Sequence, residues 1–353
     1  MRAAVYHGQR DVRLQTMPDP PAPGPGEVVL RVLACSICGT DVSEYLHGPL
    51  MIPLRDRHPA SGHVGPTIMG HEFVGRIVAV GEGTSLTQGL RVVPGAGYWC
   101  GACRWCLAGR PNLCARYFVY GLHADGGLAT YVRVPAQMCH VVPESCPDEW
   151  AAMAQPCAIA LHAARRSGAQ PGDTVALIGV GGIGSFLLAA LRAVGVGTII
   201  ALDVEQERLA TATRLGATRV LPVGEDAKAA SSTIRDWTAG QGADVVIEAS
   251  GAPAATLLAL SSARRGGRVL QVGLPARPTP LPLREFTVPE IDLIATNGHV
   301  CDTDLPQALA LLATSELART ILDRVIPLDA LVGEGLLALA ERRTRGKVVV
   351  ALA

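Results

Sequence analysis

From about residue 173 the hydrophobic positions fall in short, nearly continuous runs: Thr174–Ile178, 198–202, 244–248, 268–272 and Asp292–Ala295. Apolar runs this short, without alternation, predict strands buried on both faces. Between the first of them, residues 183–194 and 205–215 predict helices, the second closed by Gly216. Strand and helix in alternation predict an α/β fold with a parallel sheet covered by helices on both faces. The first 150 residues have another texture, rich in Gly and Pro, with β-branched runs at 27–32, 74–80 and 128–134 separated by turn signals. This predicts an antiparallel, partly open β-barrel. The last stretch returns to Pro-broken helices and a terminal strand at 347–352, so the tail is expected to pack back on the first segment. The boundaries that follow are 1–155 with 299–353 for a discontinuous first domain, and 156–298 for the second.

Composition agrees with two domains, because 353 residues exceed what one core usually holds. The 31 basic residues balance 31 acidic ones, which argues against nucleic acid or a membrane surface as partner, since either favours a basic patch. A small-molecule ligand fits better. No charged and then apolar leader opens the chain, so a soluble, cytoplasmic protein is expected. Ten cysteines suit metal ligation in a reducing compartment better than a disulfide framework.

Four of those cysteines, Cys100, Cys103, Cys106 and Cys114, stand close enough in sequence for one loop to wrap all four thiolates around a tetrahedral ion. That pattern reads as a closed structural zinc site. Cys139, Cys146 and Cys301 read as inert core thiols.

The segment GVGGIG, with Gly179, Gly181, Gly182, Ile183 and Gly184, follows an apolar strand and opens a helix. In that context the glycines make a tight turn, admit a pyrophosphate to the backbone and let helix and strand pack closely. Asp203 ends the next strand, where its carboxylate can accept bonds from the adenosine ribose hydroxyls and repel a 2′-phosphate, favouring NAD over NADP. Arg208 nearby reads as a helix-surface residue. Ser250, and Val272, Gly273 and Leu274, end two further strands and are candidates to touch ribose and nicotinamide.

A second metal set is Cys38 and His71, with Glu72 beside them as ligand or supporting carboxylate. Cys35 and Cys38 also form a CxxC, whose redox reading is weaker because the four-cysteine site is already complete.

With CSICGTDVSEYLHGPLMIP, Gly70-His71-Glu72, the four-cysteine lobe and GVGGIG in this order, the chain resembles the zinc-dependent medium-chain dehydrogenase/reductase superfamily over essentially its full length. It looks most like the (R,R)-2,3-butanediol dehydrogenase branch, with sorbitol and threonine dehydrogenases as near relatives. The resemblance implies a GroES-like β-barrel catalytic domain and a doubly wound Rossmann domain, two zinc ions per chain, NAD, and a homo-oligomer, dimer or tetramer. It also implies oxidation of a secondary alcohol beside a polar group, such as a vicinal diol, polyol or aminocyclitol. Thr40 would bond the reacting oxygen and Asp41 would support the metal ligands. Two residues depart from the pattern. Ser43 stands where relatives have the histidine that ends a proton relay, and His47, four residues on, is a candidate replacement. Gln155 stands where relatives have a metal-binding Glu, leaving Gln155, Cys157 or water to complete the shell. Tyr45, Phe118 and His123 are candidate pocket residues. A sugar or cyclitol dehydrogenase of a biosynthetic pathway is the rival within the class, and an NAD-binding protein that has lost its chemistry is the rival outside it.

Overall fold

The computed structural model describes residues 1–224, 227–275, 277–314 and 316–352. They form two compact units, Met1–Ala158 with Val300–Ala353, and Ile159–His299. No helix of the described residues is long and apolar enough to cross a membrane.

In the second unit a six-stranded sheet runs Arg219–Pro222, Thr198–Asp203, Thr174–Ile178, Ala243–Glu248, Ala263–Gln271, Asp292–Ala295, every neighbour parallel. Numbered from Thr174–Ile178, the order is 3-2-1-4-5-6, so the winding reverses between Thr174–Ile178 and Ala243–Glu248. A reversal of this kind opens a crevice at the carboxyl ends of the strands. Ile178, Ile200, Leu202, Ile234, Val246, Leu258 and Val269 share the core. The edge strand Arg219–Pro222 escapes the sequence reading because it is short and no side chain in it is fully buried. The strand expected at 268–272 begins earlier, as Ala263–Gln271. The expected helices are Gly182–Val194 and Gln206–Arg214, the latter followed by left-handed Gly216.

The first unit is built on a seven-stranded sheet, ordered Cys139–Val141, Arg91–Pro94, Glu72–Val80, Glu27–Ser36, Lys347–Ala351, Leu322–Pro327, with Tyr131–Pro135 also paired to Glu27–Ser36. A hairpin, Arg2–Gly8 and Asp11–Thr16, pairs with Thr67–Ile68 in a smaller sheet. The strand pairs within the first 150 residues are antiparallel, as expected there, whereas in the returning tail Leu322–Pro327 and Lys347–Ala351 run parallel. A parallel return needs a crossover, and the helical turns Leu328–Ala330, Leu331–Leu336 and Leu337–Ala340 supply it. The run at 128–134 becomes Tyr131–Pro135, with Ala129 bridged separately to Ala3. Leu30, Val32, Phe73, Ile77, Val92, Leu128, Val348 and Val350 fill the core.

Register in this sheet decides the chemistry. Ser36, the last residue of Glu27–Ser36, pairs with Glu72 on one side and Val349 on the other. Three strand ends therefore meet: the exit toward Cys38, the entry at His71-Glu72, and the start of the tail strand at Lys347.

Candidate functional site

Cys38 caps the helix Gly39–His47 with extended backbone (ψ 155), and its amide donates to Asp41 Oδ2 at 2.9 Å. Asp41 is fully buried, and its other oxygen lies 3.5 Å from His71 Nδ1, too long for a hydrogen bond. One carboxylate thus fixes the turn that presents Cys38 and faces the imidazole. Burial disfavours a charge on His71, but Asp41 and Cys38 beside it outweigh that and raise its pKa well above the ordinary histidine value. Surroundings negative enough to hold a proton on a buried ring will also hold a cation.

The donor atoms of Cys38, His71 and Glu72 all lie within 4.8 Å of one another. Glu72 is fully buried: Oε2 accepts from Lys347 Nζ at 2.6 Å, while Oε1 accepts nothing among the described residues. A buried acceptor without a partner costs about 1–3 kcal/mol, a penalty that a bound cation removes. Thiolate, imidazole and one free carboxylate oxygen make a donor set that fits zinc, with a position left open. Thr40 Oγ1 stands 3.7 Å from Cys38 Sγ, beside that position.

Other predicted residues are placed as follows. Ser43 is half-buried on the helix of Thr40, and His47 is exposed at its last residue, about 6 Å further along at four residues' rise. Gln155 is buried near the start of helix Ala154–Ser167, and its Oε1 has no hydrogen-bond partner among the described residues. Cys157 is fully buried, and burial pushes its thiol far up, so it is no ready thiolate. Tyr45 belongs to the barrel core. Phe118 stacks on Tyr98 and packs against Tyr120, and His123 stacks on His58 at 4.3 Å.

Cys100, Cys103, Cys106 and Cys114 converge within 4.8 Å, with Sγ–Sγ separations of 3.5 Å for Cys103–Cys106 and Cys100–Cys114. Disulfide sulfurs stand about 2.05 Å apart. A tetrahedron with zinc–sulfur bonds of about 2.3 Å has edges near 3.8 Å, so the set fits a metal. Backbone amides of Cys106 and Ala115 lower the Cys103 pKa to about 6, favouring its thiolate.

In the second unit Gly179 is left-handed (φ 89), and a Cβ there would meet Ser250 at 2.8 Å. A Cβ on Gly184 would strike Gly179 O at 2.0 Å, so helix and strand meet only through glycine. At Gly181, the cap of helix Gly182–Val194, the nearest atom a Cβ would meet is 3.7 Å away, on Arg208. The backbone there is open to a phosphate at a helix N-terminus. Asp203, 6 % exposed, accepts Val180 N at 2.8 Å and Glu205 N at 3.0 Å, with the Arg208 guanidinium 3.8 Å away. Val272 and Gly273 both donate to Glu248 O, while the Glu248 carboxylate takes Ser250, Gly251 and Gln271. Leu274 is 80 % exposed beside Gly251. The loops of Ser250 and of Val272–Leu274 are therefore tied at one switch point.

Two residues of this architecture were missed from sequence, Lys347 and Glu248. Lys347 opens an apolar strand and Glu248 closes one; read locally each is an ordinary flanking charge, and only burial of that strand end, where charge is otherwise excluded, marks it.

Residues 24–144 match the family described as alcohol dehydrogenase GroES-like domain, and residues 182–314 the family described as zinc-binding dehydrogenase. The chain is 33% identical to (R,R)-butanediol dehydrogenase of Bacillus subtilis over 99% of each chain. It is 37% identical to sorbitol dehydrogenase of the same organism, covering 78% of this chain and 76% of that one. The crystal structure of 2R,3R-butanediol dehydrogenase from Bacillus subtilis superposes with a TM-score of 0.89 at 31% identity, covering 99% of each chain.

Proposed function

The chain belongs to the zinc-dependent medium-chain dehydrogenase/reductase superfamily, and from that premise we propose that it oxidises a secondary alcohol carrying a neighbouring polar group, with NAD as acceptor. The substrate class is a vicinal diol, polyol or aminocyclitol. The observation that carries the reading is the Cys38–His71–Glu72 cluster, with a buried carboxylate oxygen left unpartnered beside a thiol and an imidazole.

When bound there, zinc supplies a Lewis acid that lowers the pKa of an alcohol hydroxyl, and NAD supplies the acceptor for hydride. The chain's own residues do the rest. Asp41 orients Cys38 and His71, Lys347 holds one oxygen of Glu72 and leaves the other for the metal, and Thr40 takes the substrate hydroxyl proton's hydrogen bond. Ser43 cannot act as a base near neutral pH, so the proton leaves through water or through His47, which is solvent-exposed. Cofactor choice rests on Asp203, whose buried carboxylate disfavours a 2′-phosphate. We further propose two zinc ions per chain, the second on the four cysteines, and a homo-oligomer in the cytoplasm.

The test is a screen of diols, polyols and amino alcohols with NAD, followed by NADH absorbance. Turnover that is lost in Cys38→Ser supports the reading. No turnover with any of them by zinc-replete protein overturns it.

A further inference from the structure

Apart from the two sets already described, one more group among the described residues has metal-ligand chemistry: His140, Cys301 and Asp302, with donor atoms within 4.8 Å of one another. His140 lies on the strand Cys139–Val141, held by its pairing with Val93. Cys301 and Asp302 open the helix Cys301–Thr314, and the turn before it is fixed by Val300 N donating to Asp304 Oδ2 at 2.7 Å. Both donors' elements belong to the same compact unit, which the chain leaves after Ala158 and re-enters at Val300.

The geometry is that of a ligand set rather than of a hydrogen-bonded cluster. His140 Nε2 is shut off from solvent and makes no hydrogen bond. It stands 3.6 Å from Asp302 Oδ1, beyond hydrogen-bond length. Two donors on one tetrahedral ion with bonds of about 2.0 Å lie about 3.3 Å apart, so a small adjustment admits an ion between them. Cys301 is buried, with its sulfur 3.5 Å from the carbonyl of Met138, a weak contact for a thiol. Asp302 is 68 % exposed and can swing toward the other two. Burial, and then Asp302, push the Cys301 thiol up, so an ion entering here must displace its proton; the resulting thiolate and the carboxylate give two negative charges, which a divalent ion neutralises, and a mixed sulfur, nitrogen and oxygen set suits zinc over calcium or magnesium.

We propose that His140, Cys301 and Asp302 form a further zinc site, separate from both cysteine-containing sets above, that pins the returning chain segment to the barrel sheet. Three protein ligands leave a position for water, so this site binds more weakly than the four-cysteine one and fills as free zinc rises. The ion joins residues 161 positions apart (301 − 140), and a clip across so long a loop acts chiefly on the stability of this unit. Cys301, which reads from sequence as an inert core thiol, acquires a role through its two neighbours.

The experiment uses the full chain with its resident metals, equilibrated by dialysis against micromolar free zinc, with metal per chain measured for the parent, His140→Ala and Asp302→Ala. The parent is expected to hold one equivalent more than either variant, and added zinc to raise its Tm but not theirs. With Co2+ in place of added zinc, a thiolate-to-metal absorbance band should appear in the parent and be lost in Cys301→Ser. Because Asp302 is outside the core, Asp302→Ala decides the matter if His140→Ala folds poorly. Equal metal content in the parent and Asp302→Ala, or an extra equivalent that every variant retains, overturns the proposal.

Discussion

Replacing Lys347 by Met keeps the side chain's bulk and deletes one charge from the floor of the Cys38–His71–Glu72 centre. Nζ lies 2.6 Å from Glu72 Oε2 and 2.7 Å from Ile37 O, and both side chains are buried. At that separation two unit charges attract by about 6 kcal/mol at an effective dielectric constant of about 20. Burying the two ions offsets much of this, so the intact pair adds little net stability. Lys347→Met does not delete the pair, however; it strands Glu72 as a buried, uncompensated carboxylate, which costs about 3–5 kcal/mol. Urea unfolding of the first unit can be followed by fluorescence, because Trp99, Trp105 and Trp150 lie in that unit and only Trp237 outside it. The single variant should lose about 3–5 kcal/mol with the centre stripped of metal and less with saturating zinc, whose charge replaces the ammonium. Lys347→Met/Glu72→Gln should recover most of the loss. A single variant within about 1 kcal/mol of the parent, or a double variant no more stable than the single, refutes the reasoning. pH gives an independent check. Burial works against the Lys347 ammonium, but Glu72 and Cys38 outweigh it and raise the pKa above the ordinary 10.5. The pair's contribution is therefore whole below the unfolded value, about pH 10, and fades as pH rises through the raised folded one.

Ser43→His should speed oxidation at neutral pH by up to about 10²-fold, the low end of what a placed base contributes, and His47→Ala should abolish activity only if His47 now carries the proton; pH–rate profiles separate the two. Gln155→Glu should retain or tighten zinc while weakening its Lewis acidity, read by chelator competition alongside kcat. Asp203→Ala should narrow the preference for NAD over NADP in kcat/KM, and equal use of both by the parent would remove its basis. His123 is pushed down to about 4, by burial first and then by the stacked His58. Its folded pKa lies below its unfolded one, so stability present above about pH 6.5 is lost as pH falls toward the folded value, and His123→Phe should flatten that limb of a Tm-against-pH curve.

The features legible in the chain are those whose parts lie close together along it. Cys100 to Cys114 close one loop, and Gly179 to Gly184 form one turn between a strand and a helix, so spacing alone carries their geometry. The apolar runs of the second unit likewise announce a parallel sheet, because strands covered on both faces cannot alternate. What tertiary structure decided is which strand ends meet. Cys38, His71-Glu72 and Lys347 come from three distant segments, joined only because Ser36 pairs with both Glu72 and Val349. Read locally, Lys347 is an ordinary flanking charge before an apolar strand; in the sheet it is a buried ammonium on Glu72. Cys301 reads locally as a small hydrophobe, and only the return of its helix to Cys139–Val141 sets His140 beside it. Periodicity and turn chemistry are properties of neighbouring residues, whereas register between segments hundreds of residues apart is selected by how whole faces pack, and no short stretch of sequence contains that information.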